Sequence, residues 1–234
     1  MKINADFSQR VVIQTNDIPW VDSPMPGVQR RMLDRVGEEV ARATSLVRYA
    51  PGSYFSAHTH DGGEEFLVLD GVFSDEHGDF GPGTYVRNPV GSSHTPYSKN
   101  GAIIMVKLWQ MSSEDQSRVV IDTAKAGWAP GLVPGLEVLP LHAHSTEQVA
   151  LVKWAPGTKF QPHRHWGGEE ILVLEGTFAD EQGIYPKGIW LRNPPDSVHT
   201  PFSEEGCLIY VKTGHLSDMV TASPSVPATA SAQS

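Results

Sequence analysis

HTHDGGEEFLVLDG occupies residues 58–71, and HRHWGGEEILVLEG occupies residues 163–176. Further along, GTYVRNPVGSSHTPYS (83–98) returns as GIWLRNPPDSVHTPFS (188–203). The offset is 105 residues throughout, so no insertion or deletion separates the two motifs. His58, His60, Glu64, Gly71, Gly83 and His94 thus correspond to His163, His165, Glu169, Gly176, Gly188 and His199. One repeat of this period is a duplicated domain, not a short-period solenoid. SLVRYAPG (45–52) matches ALVKWAPG (150–157), and Trp20 with Pro26-Gly27 is echoed by Trp128 with Pro134-Gly135. These matches place one domain at 1–115, a second at 116–217 and a flexible tail, rich in Ser, Ala, Pro and Thr, at 218–234. SSEDQSRVV (112–120), near the join, reads as helical.

The remainder reads as short strands. SLVRYAPG, EFLVLDGVFSD, TYVRNPV and AIIMVKLWQ in the first repeat are rich in β-branched and aromatic residues and bounded by Gly, Pro or Asp. ALVKWAPG, EILVLEGTFAD, IWLRNPP and CLIYVKTG follow suit in the second. The spacing predicts an all-β chain of two tandem antiparallel barrels or jelly rolls.

The repeated polar residues point to metal. On a strand, residues i and i+2 share a face, so His58 and His60 stand side by side. A carboxylate of the Glu64-Glu65 pair can fold back after the turn Asp61-Gly62-Gly63, and His94 arrives from a later strand. Spacing alone does not choose between the two glutamates, because both repeats carry Glu-Glu. If Glu64, Phe66 and Val68 share the interior face, Glu65 points outward. Three His and a Glu form a nitrogen and oxygen set that suits zinc, iron, manganese, nickel or copper. Six of ten histidines fall into the two superposable triplets, His58, His60, His94 and His163, His165, His199, so two divalent ions per chain are expected.

The spacings resemble the cupin superfamily. Its first motif is met by Gly52, His58, His60, Glu64 and Gly71, and again by Gly157, His163, His165, Glu169 and Gly176. The resemblance selects Glu64 and Glu169 over their neighbours. Its second motif is met by Gly83, Pro89, Gly91 and His94, and by Gly188, Pro194 and His199, with Asp196 standing where the motif has Gly. Ser98 and Ser203 replace its closing Asn. Repeat one resembles the cupin domain of the anti-sigma factor ChrR. That resemblance implies two tandem cupin jelly-roll domains that bind zinc through His58, His60, Glu64 and His94. It implies a regulatory or stress-sensing role with a protein partner from a sigma-factor system. The sigma-binding helical domain of that family, with its own His and Cys zinc ligands, has no counterpart in the sequence. The alternative is a metal-dependent dioxygenase acting on a small diketone or phenolic substrate, with iron, manganese or nickel in place of zinc. No catalytic residue can be named beyond the ligands.

Composition excludes several classes. With 18 Lys plus Arg against 27 Asp plus Glu, the net charge of −9 opposes binding to nucleic acid or anionic lipid. The N-terminus lacks the apolar run of a secretory leader and nothing approaches a membrane span, so a cytoplasmic monomer or homodimer is expected. The single Cys207, in CLIYVK, reads as a core residue. His142 and His144 read as surface or loop residues, His77 and His215 as exposed. Arg87 and Arg192 are expected to pair with carboxylates such as Asp75 and Asp180 or with a turn carbonyl. Tyr54, Phe66, Tyr85, Tyr97, Phe160, Trp190 and Phe202 are expected to line the barrels.

Overall fold

The computed structural model describes residues 1–217 and 219, so the tail expected at 218–234 lies, apart from Met219, outside the described residues. The chain is almost entirely β. The strands that matter below are β1 (Val11–Gln14), β2 (Val28–Gly37), β3 (Ala41–Tyr49), β4 (His58–Thr59), β5 (Glu64–Gly71), β6 (Thr84–Asn88), β7 (Ser93–His94) and β8 (Ala102–Leu108). Their successors are β9 (Val119–Asp122), β10 (Leu136–His144), β11 (Glu147–Trp154), β12 (His163–His165), β13 (Glu169–Asp180), β14 (Ile189–Asn193), β15 (Ser197–His199) and β16 (Cys207–Thr213). Among the described residues no helix is long and apolar enough to cross a membrane.

Each repeat forms a two-sheet antiparallel barrel. The main sheet of barrel one runs β2-β3-β8-β5-β6 and that of barrel two β10-β11-β16-β13-β14. The outer edge of each is closed by the other repeat. β1 pairs with β14 (Val11 opposite Arg192), and β9 pairs with β6 (Val119 opposite Arg87). The two barrels thus exchange one N-terminal strand each, which hides two sheet edges that would otherwise be open to pairing.

This packing explains the near-continuous apolar runs. Alternate residues of a strand face opposite ways. Phe66, Val68, Val86 and Ile104 fill barrel one, and Ile171, Val173, Leu191 and Ile209 fill barrel two. Their neighbours Leu67, Tyr85, Met105, Leu172, Trp190 and Tyr210 form a third core between the barrels. Of the aromatic residues expected inside, Phe66 and Phe160 do line barrels. Tyr85 and Trp190 lie between them instead, Tyr54 and Tyr97 are exposed, and Phe202 is only partly buried.

The same alternation gives each Glu-Glu pair two destinations. Glu65 points out of barrel one, yet it is buried, because the outside is barrel two. Lys212 of barrel two bonds Glu65, and Lys107 of barrel one bonds Glu170, a reciprocal arrangement about a pseudo-two-fold axis. Arg87 adds bonds to Glu65 (2.9 Å), Asp115 (2.8 Å) and Glu147 (2.8 Å). Arg192 bonds Asp34 (3.3 Å). The arginines therefore do not meet Asp75 or Asp180, since those carboxylates lie on the far side of the sheets. Residues 112–118 are irregular, with a turn at 113–114, and not helix, because Asp115 is pinned by Arg87 and by His142 Nε2 (2.7 Å), and the chain then enters β9. His142 and His144 sit on β10, and the His142 side chain is only 7% exposed. His215 is likewise buried and bonds Glu170 at 3.1 Å. Both departures from the sequence reading arise because the opposite barrel covers these positions. His77 is exposed, and Cys207 is buried, with burial pushing its thiol up to about 11.

Candidate metal centres

Local pairing builds each centre. β4 pairs with β7 so that His58 stands directly opposite His94, and β12 pairs with β15 so that His163 stands opposite His199. His60 lies two residues from His58, across the bend that leads into the Gly62-Gly63 turn. The turn delivers Glu64 at the start of β5. Ring centroids of His58, His60 and His94 are 4.7–5.0 Å apart, and those of His163, His165 and His199 are 4.6–5.0 Å apart. Ring nitrogens within each triplet lie within 4.8 Å of one another, a spacing that could hold a metal ion. Glu64 Oε2 is 3.3 Å from His60 Nε2 and 3.6 Å from His94 Nε2. Glu169 is 3.4 Å from His165 and 3.7 Å from His199.

Hydrogen bonds fix which nitrogen faces inward. His94 Nδ1 meets Asp75 (3.1 Å) and His58 Nδ1 meets the Ser56 carbonyl (2.7 Å). His199 Nδ1 meets Asp180 (3.3 Å) and His163 Nδ1 the Gln161 carbonyl (3.1 Å). A proton held on Nδ1 leaves Nε2 as a lone pair, the arrangement a metal-binding imidazole needs. His60 Nε2 and His94 Nε2 are buried with no hydrogen-bond partner, and His165 Nε2 faces His199 Nε2 at 3.0 Å. Nitrogens that converge in this way, unpartnered in barrel one and facing each other in barrel two, fit a cation between them. Asn88 donates to Glu64 Oε2 (3.1 Å) and Asn193 to Glu169 Oε2 (3.0 Å), each orienting the carboxylate.

The electrostatics agree with this division. Burial lowers the pKa of His60, and burial with the neighbouring His199 takes His165 down to about 4. Burial acts on His94 and His199 too, but bonds to Asp75 and Asp180 and the nearby ligand carboxylates leave both raised. Burial raises Glu169. All eight predicted site residues thus come together, four per barrel. Asp75, Asp180, Asn88 and Asn193 were not assigned to the site from sequence. Each recurs at the 105-residue offset, and that was the available signal. Asp196 takes the left-handed conformation of Gly91 (φ 65° against 84°), and its N–H bonds the His165 carbonyl as Gly91 bonds that of His60, both at 2.9 Å. The turn survives the replacement.

The surroundings differ. Barrel one holds a cavity of about 340 Å³ that ends on His58, His60 and Glu64, with Tyr49 and Phe55 in its wall and Arg30 and Glu39 at its rim. Barrel two holds about 190 Å³ that likewise reaches its candidate ligands His163, Glu169 and His199, with Trp154 where barrel one has Tyr49.

The model of the ChrR cupin-like domain matches residues 8–112 and again 116–217. The chain belongs to this cupin family, twice over. No curated protein sequence matches it. Among solved structures this ChrR-like bicupin is similar to a supposed dioxygenase from Nostoc punctiforme (17% identity, 90% of this chain and 84% of the other, TM-score 0.75). It is similar to Ylba from E. coli (15% identity, 88% and 91%, TM-score 0.67). It also resembles the oxalate decarboxylase of Bacillus subtilis, described with Mn(II) centres (14% identity, 88% and 77%, TM-score 0.55). At these identities the likeness shows the shared cupin fold.

Proposed function

We propose that each barrel holds one divalent metal ion, through His58, His60, Glu64 and His94 and through His163, His165, Glu169 and His199, and that barrel one is the working site of a metal-dependent enzyme acting on a small organic molecule. The observation that carries the reading is the 340 Å³ cavity ending on the ligands of barrel one. A purely structural ion needs no such access. Three His and one Glu leave up to two positions open on an octahedral ion. Such an ion would supply Lewis acidity and, as iron, electrons for dioxygen chemistry.

The residues of the chain do the rest. Apolar walls from Val28, Val47, Ile104 and Val106 exclude water. Burial and the Glu64 carboxylate hold the Tyr49 phenol well above its usual range, so Tyr49 Oη keeps its proton and serves as a hydrogen-bond donor inside the cavity. Arg30, engaged by Glu39 at 3.3 Å, offers a cation at the rim. These features suit a diketone or phenol, and the reaction class we favour is dioxygenation. Protein purified anaerobically and loaded with Fe(II) should consume oxygen with catechols or diketones, and Tyr49→Phe should slow it. No uptake with any of them, in protein shown to hold iron, would overturn the enzyme reading. The family match favours a second reading, a regulatory zinc cupin with a protein partner, and that result would support it.

A further inference from the structure

Trp109 occupies a backbone position that the fold reserves for glycine. Its φ is 58°, a region in which a bulky residue is rare. Its counterpart at the 105-residue offset is Gly214, with φ 79°. The backbone around both is the same. Trp109 N–H bonds the Gly63 carbonyl (3.2 Å), and Gly214 N–H bonds the Gly168 carbonyl (3.0 Å). Barrel two thus makes this connection with glycine and without strain. Barrel one keeps a tryptophan there, and core packing does not account for it, since Trp109 is 44% exposed. Strain retained at a site of this kind is a reason to look for function.

Its position supplies the function. The indole lies so close to Gly62 that a Cβ there would overlap the ring, which seats it on the turn joining His60 to Glu64. Trp109 lines the metal cavity of barrel one and also the cleft between the barrels, so it forms the partition between them. With Phe55 and Tyr49 it makes three aromatic side chains around one cavity. In barrel two the exposed tryptophan is Trp166, whose ring stacks with Arg164 at 4.9 Å.

We infer that Trp109 is a specificity-determining residue of barrel one, and that it selects substrates with a planar aromatic ring over aliphatic ones of similar size. This rests on the reading of barrel one as a small-molecule site and narrows it to phenols. The test is calorimetric titration of the metal-loaded protein, under nitrogen, with catechol and with acetylacetone. Trp109→Gly, which installs the residue of barrel two, should keep the metal content and weaken catechol about tenfold, the scale of one aromatic contact. Trp109→Phe should stay within about threefold of the parent, and acetylacetone should shift by less than about threefold in either variant. Unchanged catechol binding in Trp109→Gly overturns the inference and leaves the small-molecule reading intact. An equal loss for both probes, or loss of metal from the variant, also overturns it, by showing that the indole only braces the turn. If neither probe binds the parent protein, the small-molecule reading itself fails and takes this inference with it.

Discussion

The two barrels share a ligand set and much of the apolar wall around it, Val47, Phe55, Ile104 and Val106 matching Val152, Phe160, Ile209 and Val211, and they differ in a few residues and in volume. Three His, one Glu, the Asn that orients the Glu and the Asp that orients the last His recur at one offset. At other positions the sites diverge. Barrel one opens into about 340 Å³ with Tyr49 and Trp109 in its lining, whereas barrel two keeps about 190 Å³ with Trp154 in place of the tyrosine. Asp75 is bonded by His94 and by the His77 backbone, while Asp180 is also bonded by Tyr185 (2.6 Å) and approached by Arg10 (3.5 Å). Phe80 stands in barrel one where barrel two has Tyr185. The lesson is that the candidate ligands and the groups that orient them are kept in both copies, while the cavities differ at Tyr49 against Trp154 and Trp109 against Gly214.

The largest expected contrast lies between the two buried lysines. Lys107→Met leaves Glu170 buried with only His215 as a partner, and should cost about 3–5 kcal/mol. Lys212→Met leaves Glu65 with Arg87 and Tyr85, so its cost should be smaller, on the order of 1–3 kcal/mol. Denaturant unfolding of the two variants checks the order, and equal costs would break the comparison.

A finer contrast concerns the aspartates. Asp75→Asn should weaken the ion of barrel one by about 10–100-fold, the usual effect of losing such a partner. Asp180→Asn should sit at the low end of that range, because the Asp180 charge is already shared with Tyr185 and Arg10. Chelator competition on each variant measures both.

A further effect is a pH dependence of the interface. Burial opposes the charge on Glu65, but Lys212 and Arg87 overcome it and hold the carboxyl at about 2, against 4.5 for the free group. A depressed carboxyl stabilises the fold fully above about 4.5, and that contribution is lost as pH falls toward 2. Thermal melts should therefore decline between these values, and Glu65→Gln should flatten the decline.

Much of this was legible in the sequence. The repeat, the strands and the six histidines of the two triplets follow from local spacing, because a His-x-His pair is a short-range device, whereas Glu64 and Glu169 were singled out only by the cupin resemblance. The second Glu of each pair was not legible. Its partner lysine lies in the other repeat, and only the paired barrels show that the outward face is buried. The strand exchange was hidden for the same reason, and because β1 and β9 match at an offset of 108 residues, not 105. His142 and His215 looked like surface residues since nothing within their own strands announces the barrel that covers them. Asp75 and Asn88 could have been found, since they repeat as faithfully as the ligands do.

The most direct test is the metal content of four proteins by elemental mass spectrometry: the parent, His58→Ala, His163→Ala and the double variant. Two ions, one, one and none per chain are predicted, with each single variant melting at a lower temperature than the parent. Unchanged stoichiometry in either single variant would contradict the assignment of that barrel's centre.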